Sequence, residues 1–254
     1  MPEVVIVASA FGADVIRRDG HEAWLKVAAR SGATAFEVRR ELFASEARAS
    51  LPALRGLGEA IGAHGMWSVY STPAALYTAT GELDDVALRL ALEEADALGA
   101  RFAKLQLGGF GRGTDGAKIA ACLAGSTARL VVENGQLREG GLVAQFVGLF
   151  DALQREGYAD VLGMTFDIGN WQWPDEMPLD AARQLAGHVE YIHCKAVSGD
   201  GARRFAAAPA ADDPVCTEVL RRLPRDVPRG IEFPFDPSRL AAEAAHYVAW
   251  LAAA

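Results

Sequence analysis

Met164-Thr165-Phe166-Asp167-Ile168-Gly169-Asn170-Trp171-Gln172-Trp173 reads as a short strand, Met164 to Phe166, that runs into a loop with an aspartate at the junction. A carboxylate where a strand ends is poorly placed for packing and well placed for a ligand. Three more stretches repeat the pattern: Leu130-Val131-Val132-Glu133-Asn134, Tyr191-Ile192-His193-Cys194-Lys195 and Gly230-Ile231-Glu232-Phe233-Pro234-Phe235. Each is a short apolar strand with Glu, His or Glu at or near its C-terminal end.

Working outward, strands alternate with helices along the whole chain. The expected strands are Val4–Ala8, Ala35–Val38, Met66–Tyr70, Arg101–Leu107, Leu130–Glu133, Met164–Asp167, Tyr191–Ala196 and Gly230–Phe233. The expected helices are His21–Arg30, Ala47–Ala63 (interrupted early by Pro52), Asp84–Leu98 with Gly99 as its stop, Ala117–Ala124, the Leu142–Leu153 stretch, Leu179–Gly187, Val215–Leu223, and one beginning near Ser238. Leu142, Phe146, Leu149, Phe150 and Leu153 recur at helical spacing and give the clearest amphipathic pattern. Alternation of this kind implies a parallel sheet with right-handed crossovers. Eight strand–helix units with no linker between them, over residues 1–254, predict one α/β domain closed as a (β/α)8 TIM barrel. The rival is an open doubly wound sheet, but no G-x-G-x-x-G follows the first strand.

At 254 residues and 51% hydrophobic composition the chain buries a large core. A formal net charge of −8 suits it poorly to a phosphate backbone, so nucleic acid is not an expected partner. Cys122, Cys194 and Cys216 are odd in number and form no C-x-x-C, which reads as free thiols in a reducing compartment. No apolar run approaches the roughly 18 residues of a membrane span, and the N-terminus opens directly on a strand. A cytoplasmic enzyme is the expectation, with no membrane partner.

In such barrels reactive groups lie at the C-terminal ends of strands. Glu133, Asp167, His193 and Glu232 would come from four consecutive strands and line one half of the mouth. A lone glutamate at a strand end is ordinarily a solvated loop carboxylate, and a lone strand histidine is ordinarily a core residue. The expectation of a metal site rests on all four together. Three carboxylates and an imidazole suit one divalent ion, Mn²⁺ or Mg²⁺ in preference to Co²⁺ or Zn²⁺.

The chain resembles the xylose isomerase-like TIM-barrel superfamily, in its sugar-phosphate isomerase/epimerase branch. The residues that carry the resemblance are Val132-Glu133-Asn134, Phe166-Asp167-Ile168-Gly169-Asn170, Ile192-His193-Cys194-Lys195 and Ile231-Glu232. The resemblance implies that Glu133, Asp167, His193 and Glu232 hold the metal and that Glu133 and Glu232 also move the proton. Two positions depart from the family pattern. Asn170 stands where the family has His after Asp-x-Gly, and an amide cannot titrate. Ala196 stands where the family often has Asp.

The implied reaction is isomerisation or epimerisation of a keto sugar, sugar acid or sugar phosphate through a cis-enediolate. A dehydratase of a polyol ketone shares the same enolisation, and a barrel that binds sugar without turnover is the non-enzyme alternative. An apurinic-site endonuclease needs a histidine-rich multi-zinc site, whereas only His193 of five histidines lies at a strand end.

Substrate contacts are expected from Lys104, Gln106, Asn170, Lys195, Trp173 and Arg203. Lys104 and Gln106 share a face, inward or outward. Lys195 either meets substrate or pairs with Glu133 or Asp167. Arg39 and Glu41 read as a surface salt bridge in preference to a substrate-facing pair. Trp171 and Trp173 would wall the pocket or pack a subunit contact. The Gly108–Gly116 loop offers backbone N–H groups and Arg112 to a phosphate. The long Ser198–Asp213 loop, with Arg203 and Arg204, reads as a lid or a disordered segment. A homo-oligomer is left open.

Overall fold

The computed structural model describes residues 1–254 except 112, 114 and 211. Arg112, the expected phosphate contact, lies outside the described residues.

Eight parallel strands close into a barrel: β1 (Val4–Val7), β2 (Ala35–Arg39), β3 (Trp67–Tyr77), β4 (Phe102–Gly108), β5 (Arg129–Glu133), β6 (Gly163–Asp167), β7 (Val189–Cys194) and β10 (Arg229–Ile231). The intervening β8 (Ala196–Ser198) and β9 (Phe205–Ala207) form a separate pair outside the ring. Each barrel strand pairs with its sequence neighbours, and β10 pairs with β1 to close the ring. This is the expected (β/α)8 TIM barrel. Between the strands lie α1 (Ala13–Asp19), α2 (Leu25–Arg30), α3 (Leu51–Ala63), α4 (Asp85–Leu98), α5 (Gly116–Leu123), α6 (Val143–Arg155), α7 (Pro178–Leu185) and α8 (Pro214–Leu220), and α9 (Leu240–Ala253) follows the last strand.

The local chemistry accounts for most boundaries. Asp84 caps α4 by accepting from Ala87 N at 2.9 Å, and Gly99 ends it at φ 66°. The apolar face read between Leu142 and Leu153 packs inward on α6: Phe146, Leu149, Phe150 and Leu153 are all buried. Pro52 falls in the first turn of α3, where its missing N–H costs nothing, so it starts that helix instead of interrupting it.

A helix without a counterpart among the expected elements, α1, occupies Ala13–Asp19; it is seven residues long and buries only Ile16, too little for a periodic signal. Two expectations are corrected. The third strand runs past Pro73 to Tyr77 instead of stopping at Tyr70, with a register shift against β4 between Ser71 and Ala75 that accommodates the proline. Part of the Ser198–Asp213 stretch, expected as a lid or a disordered segment, is regular strand: β9 pairs antiparallel with β8.

Strand periodicity stacks the barrel interior. An apolar floor is made by Val5, Ala35, Val69, Phe102, Val131 and Tyr191. Two residues further along the same strands come Glu37, Lys104, Glu133 and His193, and two further again Arg39, Gln106 and Lys195. A second, larger core fills the space between strands and helices. No helix among the described residues is long and apolar enough to cross a membrane.

His21 stands at a helix end, as expected, just before the 3-10 turn Glu22–Trp24, and is buried beside the Phe43 ring at 4.5 Å, its Nε2 accepting from Arg39 N at 3.3 Å. Burial pushes its pKa down to about 4. The unfolded chain therefore takes up a proton near pH 6.5 that the fold refuses until about pH 4. Native stability falls across that window, by about 3 kcal/mol from this group. In urea titrations from pH 7 to 4, His21→Phe is expected to flatten the acid limb. An unchanged slope would assign the limb to other groups.

Candidate functional site

Parallel register sets the mouth. β4 and β5 bring Gln106 beside Glu133, and β6 and β7 bring Asp167 beside His193. Glu232 follows β10 by one residue and donates its N–H to Cys194 O at 3.2 Å. Gly230 makes room below: a Cβ there would stand 2.4 Å from Tyr191 Oη and 2.8 Å from His193 Cδ2.

These strand ends converge. One ligand atom from each of Glu133, Asp167, His193 and Glu232 lies within 4.8 Å of the others. His193 Nδ1 is 2.7 Å from Glu133 Oε1, 3.2 Å from Glu232 Oε2 and 3.8 Å from Asp167 Oδ2. None of these is a hydrogen bond, so His193 Nδ1 is buried without a hydrogen-bond partner, while Asp167 Oδ2 meets the Lys195 ammonium at 2.6 Å. Behind the imidazole, Nε2 lies 2.8 Å from Glu37 Oε2, which also accepts from Tyr191 Oη at 2.8 Å. A carboxylate holding one ring nitrogen frees the other to face an ion, the arrangement that orients metal-ligating histidines. The four residues therefore fit a divalent ion, by donor set and by the unsatisfied buried Nδ1 of His193.

The site also carries its own cations. Lys104 Nζ lies 2.9 Å from Glu133 Oε1 and 3.1 Å from Glu37 Oε1. Lys195 Nζ lies 2.6 Å from both Asp167 Oδ2 and Glu232 Oε2. Arg39 donates through Nη1 to Glu232 Oε1 at 2.5 Å and through Nε to Glu41 Oε1 at 2.7 Å. Five carboxylates thus face three fixed cations and one imidazole.

Electrostatics follows from this packing. For Glu37, burial opposes ionisation, but Lys104 and His193 outweigh it and bring the carboxyl down to about 2. Burial also works against Glu133 and Glu232, yet Lys104 holds the first and Lys195 the second below the usual carboxylate range. Asp167 goes the other way: burial raises it, and Lys195 only partly offsets that. In His193, burial and Lys104 disfavour the charged ring, but Glu37, Glu232 and Glu133 carry its pKa well above the ordinary value.

The other expected contacts divide. Lys104 and Gln106 both point inward, and Gln106 Nε2 donates to Glu133 Oε2 at 2.7 Å. Lys195 pairs with Asp167 and Glu232 and does not pair with Glu133. Trp173 is half-buried with its ring centroid 6.0 Å from Lys195 Nζ. Trp171 is fully buried between Phe146 and Phe166, which corrects its reading as pocket wall or subunit contact. Arg203 is exposed on the hairpin turn, whereas Arg204 reaches Gln172 O, Trp173 O and Asp175, tying the hairpin to the loop after β6.

Arg39 is a correction: it is no surface salt bridge, because Glu232, 193 residues away in sequence, closes onto it. Glu37 escaped the sequence reading altogether. The signal was present in Ala35-Phe36-Glu37-Val38, a carboxylate inside an apolar strand and in phase with Ala35 on the floor.

Asn170 is occupied by the fold. Its Nδ2 donates to Asn134 O at 2.8 Å and its N–H to Asp167 Oδ1 at 2.9 Å. Asn134 in turn accepts from Asp167 N at 2.9 Å and donates to Asp167 O at 3.0 Å. This lacing sets where Asp167 stands. Asn134→Ala is expected to cost about 2–3 kcal/mol, because two buried backbone groups lose their partners. A urea midpoint unchanged from wild type would show that water replaces the amide.

No family model and no curated protein matches the chain. Solved structures do match, over nearly the whole length. D-allulose 3-epimerase from Methylomonas sp., solved with D-allulose, shares 13% identity over 98% of this chain and 96% of its own, at a TM-score of 0.67. The probable 3-DHS dehydratase of Bacillus anthracis shares 12% over 95% and 97%, at 0.65. Endonuclease IV of Thermus thermophilus shares 22% over 100% of both chains, at 0.59. A xylose isomerase domain-containing protein of Salmonella typhimurium has the same barrel. The resemblance read from the sequence therefore holds at the level of fold, and these similar proteins differ in the chemistry they perform.

Proposed function

We propose that this chain is a divalent-metal-dependent isomerase or epimerase of a keto sugar, keto sugar acid or sugar phosphate, with Glu133 and Glu232 as its acid/base pair. The supporting observation is the meeting of Glu133, Asp167, His193 and Glu232 within 4.8 Å, with His193 Nδ1 left without a hydrogen-bond partner. Those four residues would hold the ion. When bound, it supplies a Lewis acid that favours charge developing on the oxygens of an enediolate.

The chain's own groups do the rest. Glu133 and Glu232 approach His193 Nδ1 from two strands, each held ionised by its own lysine, so one is ready to take the proton from carbon. The other returns a proton to the same carbon from the opposite side in epimerisation, or to its neighbour in isomerisation. Lys104 and Gln106 fix the Glu133 carboxylate, and Arg39 and Lys195 fix that of Glu232. Near-complete burial of the four ligands excludes water from the enediolate. The net charge of −8 favours a small substrate over a nucleic acid.

The test is a panel of ketoses, keto sugar acids and their phosphates in D₂O with Mn²⁺, followed by NMR. Deuterium next to the carbonyl, with an epimer or isomer accumulating, supports the proposal. An absorbing enone with loss of water assigns the dehydratase instead. Sugar binding with no exchange, unchanged in Glu133→Gln, leaves a barrel that binds without turnover.

A further inference from the structure

The oxygens that face the metal position are the ones that already hold a cation. Asp167 Oδ2 and Glu232 Oε2 both look toward His193 Nδ1, and both lie 2.6 Å from Lys195 Nζ. An ammonium that close to each oxygen leaves no room for an ion bound to the same pair. Lys195 is 4% exposed and its stem runs over Gly169, where a Cβ would stand 2.6 Å from Lys195 Cγ. The glycine thus lets the lysine lie down into the site. On its other side the ammonium has the Trp173 ring, 6.0 Å from the centroid.

We propose that Lys195 is an internal counter-cation that competes with the divalent ion, so that the ion enters only as the ammonium leaves Asp167 and Glu232. This rests on the metal-site reading above. Without the ion, Lys195 neutralises two buried carboxylates that would otherwise repel each other, and so keeps the empty site folded. With the ion, that role is redundant. The short tether then retains the ammonium in the mouth beside Trp173. Lys104 opposes the ion less directly, because it touches one ligand oxygen, Glu133 Oε1, and shares its charge with Glu37, whereas Lys195 holds two.

The experiment uses the whole chain. Mn²⁺ affinity is measured by calorimetry for wild type, Lys195→Met and Lys195→Arg, with melting temperatures taken with and without Mn²⁺. Lys195→Met is expected to bind Mn²⁺ about tenfold tighter or more, since a unit positive charge next to the ion is removed. Lys195→Arg should stay near wild type. The metal-free Lys195→Met protein should melt lower than wild type and gain more from Mn²⁺. A packing role alone would lower both melting points and leave the increment from Mn²⁺ unchanged.

Equal or weaker Mn²⁺ binding by Lys195→Met overturns the proposal while leaving the metal site intact. Failure of both proteins to take up Mn²⁺, Co²⁺ or Zn²⁺ overturns the metal-site reading and this proposal with it. A wild-type crystal soaked in Mn²⁺ needs no variant. Lys195 Nζ should have moved away from both carboxylates, and an ammonium still bonded to both beside a bound ion refutes the competition.

Discussion

Glu133→Gln and Glu232→Gln are each expected to lower turnover about 10²–10⁴-fold, the usual loss when a positioned acid or base is removed. The change keeps shape and removes only the group that takes or gives the proton. The two variants should also differ from each other. With two carboxylates on opposite sides of a planar enediolate, only one faces the departing proton for a given substrate epimer. The variant that keeps this glutamate still exchanges the carbon-bound proton with D₂O but forms little epimer. The other variant loses both. Each glutamate is also an expected ligand, so exchange must be measured at saturating Mn²⁺, with metal content checked beside it. Full turnover in both variants would sink the two-glutamate mechanism. Equal loss of exchange in both, with metal retained, would point to a single base that serves both steps.

The four converging residues were readable because each breaks an apolar strand at its end. Leu130–Val132, Met164–Phe166, Tyr191–Ile192 and Gly230–Ile231 are ordinary buried strands until the polar residue arrives. In a barrel such positions come together by topology, so the sequence order of strands was enough to place them in one half of the mouth. What supports them was harder to see. Glu37 lies within a strand, not at its end, and its value comes from His193 and Tyr191, more than 150 residues further on. Arg39 and Glu41 form a local pair that is real, yet the same guanidinium also bonds Glu232. A local pattern cannot show that second partner. The β8–β9 hairpin is Ala-rich and carries only three residues on each strand, so neither alternation nor propensity marks it. Trp171 looked like a pocket wall because it follows Asp167, but the 3-10 turn over Asn170–Gln172 swings it into the core.

Lys104→Met is expected to destabilise the protein by about 3–5 kcal/mol, the cost of leaving a buried ion pair half removed. Lys104 is 1% exposed and is shared between Glu37 and Glu133, which are themselves buried. Methionine fills nearly the same volume, so the loss reports charge and not a cavity. Adding Glu37→Gln should recover a large part of it, because the carboxylate left uncompensated is then neutral while Tyr191 and His193 keep a hydrogen-bonding partner. Mn²⁺ should recover another part through Glu133, and this gain should vanish in Asp167→Ala, which cannot complete the metal site. Urea unfolding of the single and double variants, with and without Mn²⁺, separates the two routes. If Lys104→Met costs under about 1 kcal/mol, the range of an exposed pair, then the carboxylates in the barrel interior take up protons when the lysine is absent. The cation would then serve to hold Glu133 ionised for chemistry, and the fold would not depend on it.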